Sequence, residues 1–251
     1  MERLWEAVPD FLVRLDRQRR TYRQERIERY GLKPNADCPT CGDTGKDPAT
    51  DQFCWCQTGQ RRENEARRER SWAELVPVRV RYFRLHTAPD EKAAEKVTGW
   101  VFRKPWATGQ GLFLVGPPGT GKTGLAIGAL HEAHMQGVTV GVVNVPDWLD
   151  IMRPTTDLDR SARASHAADK AARARLLLLD DLGTERVTEW VAERMYVLVN
   201  RRYDQDLPTI VTTNATRSLL EGAYGSKVID RLTEGAELVT MSGPNLRRPN
   251  A

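Results

Sequence analysis

At 251 residues, 40% of them hydrophobic and 29% charged, the chain is long enough for one ordinary domain with a large buried core plus a smaller appendage. The formal net charge is +4, and residues 1–75 carry 15 Lys or Arg against 14 Asp or Glu, so a nucleic-acid partner is permitted but not demanded by charge. The opening MERLWEAVPDF is interrupted by charges, and no segment approaches the ~20 apolar residues of a bilayer span; the expectation is a cytoplasmic protein with no membrane partner.

From Pro9 to Tyr30 the spacing predicts a helix, with Pro suited to its first position and GLKP at 31–34 as its stop. Its thin apolar stripe (Phe11, Leu12, Leu15, Tyr22, Ile27, Tyr30) fits a solvated helix or a docking surface. Every cysteine then falls within residues 38–56, CPTCGDTGKDPATDQFCWC, spaced C-x2-C, twelve residues, C-x-C. In a reducing compartment such a cluster points to a metal before it points to disulfides. Cys38, Cys41, Cys54 and Cys56 can complete a tetrahedral Zn²⁺ shell with no open position, which would make the site structural. Gly42 and Gly45 permit a tight turn after the first pair, and the segment is too short to build a core of its own. Two alternatives stand beside this: C-x-C is tighter than the commoner C-x2-C, so His86 or another group could replace one thiol, and the four thiols could be free or redox-active.

Residues 57–75 form a second charged helix, and the β-branched runs of VPVRVRYFRL with Pro77 mark a boundary. The junction is expected near 70–80, dividing the chain into a small helical, zinc-binding domain (1–75) and a larger domain (76–251). The larger domain alternates strand signals (111–116, 138–145, 175–181, 208–214, 237–241) with helical ones (about 122–136, 147–152, 162–173, 187–204, 222–232). That order predicts an α/β fold: a three-layer domain around a five-stranded parallel sheet. Residues 154–170, rich in Ala, Asp and Arg, are expected to include a mobile loop. Trp148 and Trp55 could stack on bases or a partner, although packing is the commoner use of Trp.

GPPGTGKT, residues 116–123, matches G-x-x-x-x-G-K-[ST] directly after an apolar strand and at the start of a helix. Gly116, Pro117, Pro118, Gly119, Thr120, Gly121, Lys122 and Thr123, with Gly124 behind them, are the expected nucleotide-binding residues. Backbone N–H groups and the helix N-terminus would form the anion hole. Lys122 would reach the β- and γ-phosphates of ATP and Thr123 would offer its hydroxyl to Mg²⁺. The apolar strand Leu176–Leu179 ends in Asp180 and Asp181; the first acid is expected to hold Mg²⁺ and the second to act as general base. Asn214 closes TIVTTN, either as a turn residue or as an amide that orients the attacking water. Arg231, on a helix whose Val228, Ile229 and Leu232 would face the core, reads on residue chemistry alone as a surface ion pair.

GPPGTGKT, LLLLDDLGTER, NRRYDQDLPTIVTTN, SKVIDRL and MSGPNLR together resemble the AAA+ ATPases of the helicase-loader group (DnaC and DnaI types) and their IstB-type relatives. The resemblance covers nearly all of 77–251. It implies that Asn214 is the sensor I residue, that Arg231 is an arginine finger acting on a neighbouring subunit, and that Arg247 is the sensor II arginine, with Arg248 adjacent. It also implies no helical lid domain. CPTCGDTG is similar to the zinc-containing N-terminal segments of DnaI-type loaders. The function implied is ATP-dependent loading of a hexameric replicative DNA helicase onto single-stranded DNA by an AAA+ oligomer, with 1–75 as the helicase-docking module. Related proteins place DNA-contacting elements at 147–165. Two other readings stay open: an IstB-like transposition helper, and a non-hydrolysing adaptor motivated by Asp181 where many such ATPases carry Glu.

Overall fold

Five apolar runs become five parallel strands: β1 (Leu112–Val115), β2 (Val140–Asn144), β3 (Leu176–Leu182), β4 (Thr209–Thr213) and β5 (Glu237–Thr240), in the order β2-β3-β4-β1-β5. The computed structural model describes residues 38, 41–42 and 44–247; the helix expected at Pro9–Tyr30 and Arg248 lie outside them. Continuous Leu and Val stretches suit strands buried on both faces. Successive side chains then serve opposite layers. Leu112, Leu114, Leu176, Leu178 and Ile210 join one core cluster, while Phe113, Leu177, Leu179 and Val211 join the other.

The chain divides into two units, Met1–Ser71 and Trp72–Ala251. Helix α1 (Gln57–Leu75) is polar along its length, and its last residues belong to the second unit, where Trp72 is 1% exposed and donates from Nε1 to the Arg81 carbonyl at 3.0 Å. On the first core cluster lie α2 (Glu91–Phe102) and α4 (Lys122–Met135), the short α3 (Pro105–Thr108) falling between them in sequence. The second cluster is covered by α5 (Val145–Ile151), α6 (Leu158–Arg173), α7 (Glu189–Tyr203), α8 (Arg217–Tyr224) and α9 (Ser226–Thr233). Among the described residues no helix is long and apolar enough to cross a membrane.

Three elements differ from expectation, each for a local reason. Helix α2 was not anticipated, although Asp90 caps it by accepting from the Ala93 N–H and its buried residues recur at 93, 94, 97, 100 and 101. The helix expected over 162–173 begins earlier, at Leu158, and takes up most of the stretch expected to include a loop at 154–170; α6 is started by the Asp157 carboxylate accepting from the Asp159 and Arg160 N–H groups. Only Ala171 and Ala172 of that helix are buried, so it carries little apolar periodicity. The helix expected at 222–232 is two, α8 and α9, because Gly225 at φ 87° breaks the turn between them.

Candidate nucleotide site and cysteine cluster

The loop from β1 to α4 passes through Gly119 at φ 84° and Gly121 at φ 94°, left-handed conformations that glycine adopts without a Cβ penalty. The neighbours also exclude a side chain: a Cβ on Gly116 would stand 2.2 Å from the Met241 carbonyl oxygen, and one on Gly119 2.0 Å from Asn245 Oδ1. Pro117 and Pro118 have no N–H, so the donors available to an anion are those of Gly119 to Thr123, at the positive end of α4. Thr120 Oγ1 donates to the Pro117 carbonyl at 3.0 Å. Gly124 is covered by the Phe83 ring, 2.7 Å from where its Cβ would be. That contact gives Gly124 a packing reason to lack a side chain.

Lys122 is 5% exposed and turns into the loop, where Nζ donates to the carbonyls of Gly116 at 2.8 Å and Pro117 at 2.7 Å. Burial holds its pKa below the ordinary lysine value, with Asp181 and Asp180 acting against that and the charge of Arg247 acting with it. Thr123 Oγ1 donates to Asp180 Oδ1 at 2.9 Å. The two groups that would hold Mg²⁺ thus already meet across the loop. Asp180 is 8% exposed. Burial, the largest effect, pushes its carboxyl above the usual range; the hydrogen bond from Thr212 opposes this, the charge of Asp181 adds to it, and the bond from Thr123 opposes it.

Asp181 follows at φ 59° in a bulge. Leu179 pairs with Val211 and Leu182 with Thr213, so Asp180 and Asp181 together face Thr212. The extra residue keeps Leu182 on the same buried face as Leu179 and leaves Asp181 half-buried at the strand's end. Behind it the chain is tied down: the Gly183 N–H donates to Tyr224 Oη at 3.0 Å and to Glu185 Oε2 at 3.2 Å, and Tyr224 donates to Glu185 Oε1.

Asn214 follows β4, which lies between β1 and β3, so strand order delivers it between the P-loop and Asp180. It is exposed and makes no side-chain hydrogen bond to a described residue. Arg231 is not brought to the P-loop of its own chain: its guanidinium lies over Tyr196 at 5.3 Å and Tyr203 at 5.4 Å from the ring centroids, with Nη1 buried and without a hydrogen bond to a described residue. Arg247 reaches the loop as part of a returning segment in which the Leu246 N–H donates to the Gly119 carbonyl at 3.0 Å and the Arg247 N–H to Asn245 Oδ1 at 3.0 Å. Sequence reasoning missed Thr212, Glu185, Tyr224 and Asn245. Alternation along TIVTTN could have placed Thr212 on the face of Ile210; the bulge that gives it a role has no signature in the sequence.

In the first unit the four cysteines form a group whose Sγ atoms all lie within 4.8 Å of one another. Cys38 and Cys54 Sγ are 3.7 Å apart, Cys41 and Cys56 Sγ 3.6 Å. Thiolates at 2.3 Å from a tetrahedral Zn²⁺ stand about 3.8 Å from each other, whereas a disulfide needs about 2.05 Å. The donor set therefore fits zinc and is complete without His86, which belongs to the second unit. An antiparallel bridge between Lys46 and Phe53 brings the pairs together, and a Cβ on Gly59 would overlap the Cys54 carbonyl oxygen at 1.8 Å. The purified chain is expected to carry about one Zn²⁺ by elemental analysis and to lose it when Cys38 and Cys41 are replaced by Ser; a folded chain free of metal would overturn the zinc reading.

Comparison with known proteins bears on this geometry. The model of the IstB-like ATP binding protein family matches residues 61–251. An insertion sequence IS21-like ATP-binding protein of Bacteroides fragilis is 28% identical over 144 residues, 55% of this chain and 53% of its own length. The replicative helicase loader DnaC of Escherichia coli (strain K12) is 27% identical over 123 residues, 49% of this chain and 50% of its own. The chain thus spans about half the length of the curated relatives it matches. The crystal structure of the DnaC helicase loader superposes with a TM-score of 0.58 at 25% identity, covering 66% of this chain and 100% of that one. The family match runs through the P-loop, the Asp180–Asp181 strand and Asn214, and the chain belongs to the IstB-like ATP binding protein family.

Proposed function

We propose that this chain is an ATP-dependent loader of a hexameric replicative DNA helicase onto single-stranded DNA, working as an oligomer with ATP hydrolysed between subunits. The observation that carries the ATPase part is the Thr123–Asp180 hydrogen bond beneath a loop whose glycines are forced by Asn245 and Met241. Such a preassembled pair is what a Mg²⁺-triphosphate requires. Mg²⁺, when bound, supplies charge neutralisation on the β- and γ-phosphates. Lys122 binds those phosphates, Asp180 and Thr123 hold the cation, Asp181 takes the proton of the attacking water, and Asn214 orients that water. Arg231 serves as the finger for a neighbouring subunit, and Arg247 contacts the phosphates from the returning segment. The helicase part is supported by the likeness to DnaC, and the cysteine cluster, ahead of the ATPase domain in sequence, would be the staple of the docking module proposed for 1–75.

A second reading, an ATPase that assists transposition, is favoured by the family match and by the IS21-like relative. Loading assays with the full chain, a replicative helicase and single-stranded DNA separate the two. ATP-dependent appearance of helicase on the DNA is the expected result. ATP turnover without any loading, together with stimulation of a transposase encoded beside this gene, would replace the loader by the transposition helper. Equal background turnover in wild type, Lys122→Ala and Arg231→Ala would leave only an ATP-binding assembly adaptor.

A further inference from the structure

The bulge in β3 creates a difficulty that one side chain resolves. Two residues, Asp180 and Asp181, stand opposite the single Thr212 of β4, and a bulge leaves one strand's N–H without its ladder acceptor. The N–H of Asp181 finds the Thr212 hydroxyl instead, at 2.9 Å. The same hydroxyl donates to Asp180 Oδ1 at 2.6 Å. A hydroxyl has one proton to give and lone pairs to receive with, so a single oxygen receives the backbone of one acid and gives its proton to the carboxylate of the other. Thr212 is fully buried in the strand between β1 and β3, and its β-branched side chain is stiff about χ1.

We propose that Thr212 is a positioning residue that sets the geometry of both acids, holding Asp180 for the cation and fixing the left-handed turn from which Asp181 faces the attacking water; this rests on the ATPase reading above. Thr123 also ends on Asp180 Oδ1, but its hydroxyl is the one a cation needs. Of the two donors, Thr212 is the one that stays with Asp180 throughout. Both hydroxyls, of Thr212 and Thr123, donate to Asp180 Oδ1, leaving the second carboxylate oxygen free of them. Serine supplies the same oxygen with a looser χ1, and valine supplies the same shape with no oxygen.

The test uses the full chain with Thr212→Val and Thr212→Ser. Binding of a fluorescent ATP analogue is titrated with Mg²⁺, and hydrogen exchange of the Asp181 amide is followed in the absence of nucleotide. In Thr212→Val the Mg²⁺ concentration for half-maximal effect should rise on the order of tenfold, and turnover should fall at least as far. Binding without Mg²⁺ should stay within about twofold, and the Asp181 amide should lose protection; Thr212→Ser should restore both to near the wild type. Loss of amide protection with an unchanged Mg²⁺ dependence would reduce Thr212 to strand packing and overturn the proposal, as would Thr212→Ser behaving like Thr212→Val. Failure of wild type to bind the analogue at any Mg²⁺ concentration would remove the ATPase reading itself, a result visible without either variant.

Discussion

Replacing Lys122 with alanine is expected to lower ATP turnover by at least about a hundredfold while leaving the folded chain as stable as the wild type within about 1 kcal/mol. Both halves follow from where the ammonium sits. In the free protein it is buried against the Gly116 and Pro117 carbonyls, neutral acceptors that replace water poorly for a cation, and desolvation lowers its pKa. Removing it therefore discards a group whose burial is itself unfavourable, from a loop in which Gly116 is half-buried and Pro117 exposed. An ATP γ-phosphate offers anionic oxygens in their place, and a charge-assisted bond to it contributes about 1.5–3 kcal/mol. Lys122→Met separates charge from bulk: it should be as inactive as Lys122→Ala. Turnover by Lys122→Met near the wild-type rate, in a steady-state ATPase assay with single-stranded DNA present, would show that this lysine does not carry the phosphates.

Where chemistry and local spacing coincide, the chain is legible. GPPGTGKT follows an apolar strand and opens a helix in the sequence, and Thr123 and Asp180 do meet. The five strands fall within two residues of their expected ends; β1 and the first four residues of β3 are unbroken apolar runs, as buried parallel strands are written, whereas the edge strand β5 buries only Val239. Helix α6 was legible only from residue 162 onward; its first turn, in which no residue is buried, looks like solvated chain. The contacts that shape the site are mostly long-range. Asn245 fills the side of Gly119 from more than a hundred residues away, and Tyr224 binds the loop behind Asp181. No pattern at period 2 or 3.6 encodes such pairs. Arg231 shows the opposite difficulty: residue chemistry read it as a surface ion pair, whereas it makes no ion pair with a described residue and lies over two tyrosines of α7. The same sequence position thus serves packing within one chain, and its reach toward a neighbour is a matter for the ATPase assay with Arg231→Ala.

NRRYDQDLPT carried the family resemblance, and its second arginine carries the largest expected loss of stability. Arg202 is 1% exposed, and its bonds go to neutral acceptors: Nε to Thr209 Oγ1 at 3.0 Å, Nη1 to the carbonyls of Ala171 at 3.0 Å and Ala174 at 2.7 Å, Nη2 to the Pro208 carbonyl at 2.6 Å. Burial works strongly against its charge. What offsets this is the end of α6, whose last carbonyls have no partner within the helix and form the negative end of its dipole. Ala174 leads into β3, and Pro208 and Thr209 open β4, so one guanidinium joins the starts of the two strands whose far ends carry Asp180 and Asn214. Arg202→Ala opens a cavity and takes the guanidinium donor from four acceptors, of which the Pro208 carbonyl keeps the Leu177 N–H at 3.4 Å, and should cost about 3–5 kcal/mol in chemical denaturation. Arg202→Lys should fall between, because an ammonium is a point donor that cannot span acceptors lying on three sides of a planar fork. Arg202→Met decides between two accounts. It fills the volume and removes the buried charge, so a stability near the wild type would mean that desolvation cancels the four bonds; a loss of about 2 kcal/mol or more would mean that the unpaired carbonyls dominate. We expect the second result, because two of the acceptors are helix-terminal carbonyls that the surrounding Ala and Pro side chains cannot satisfy.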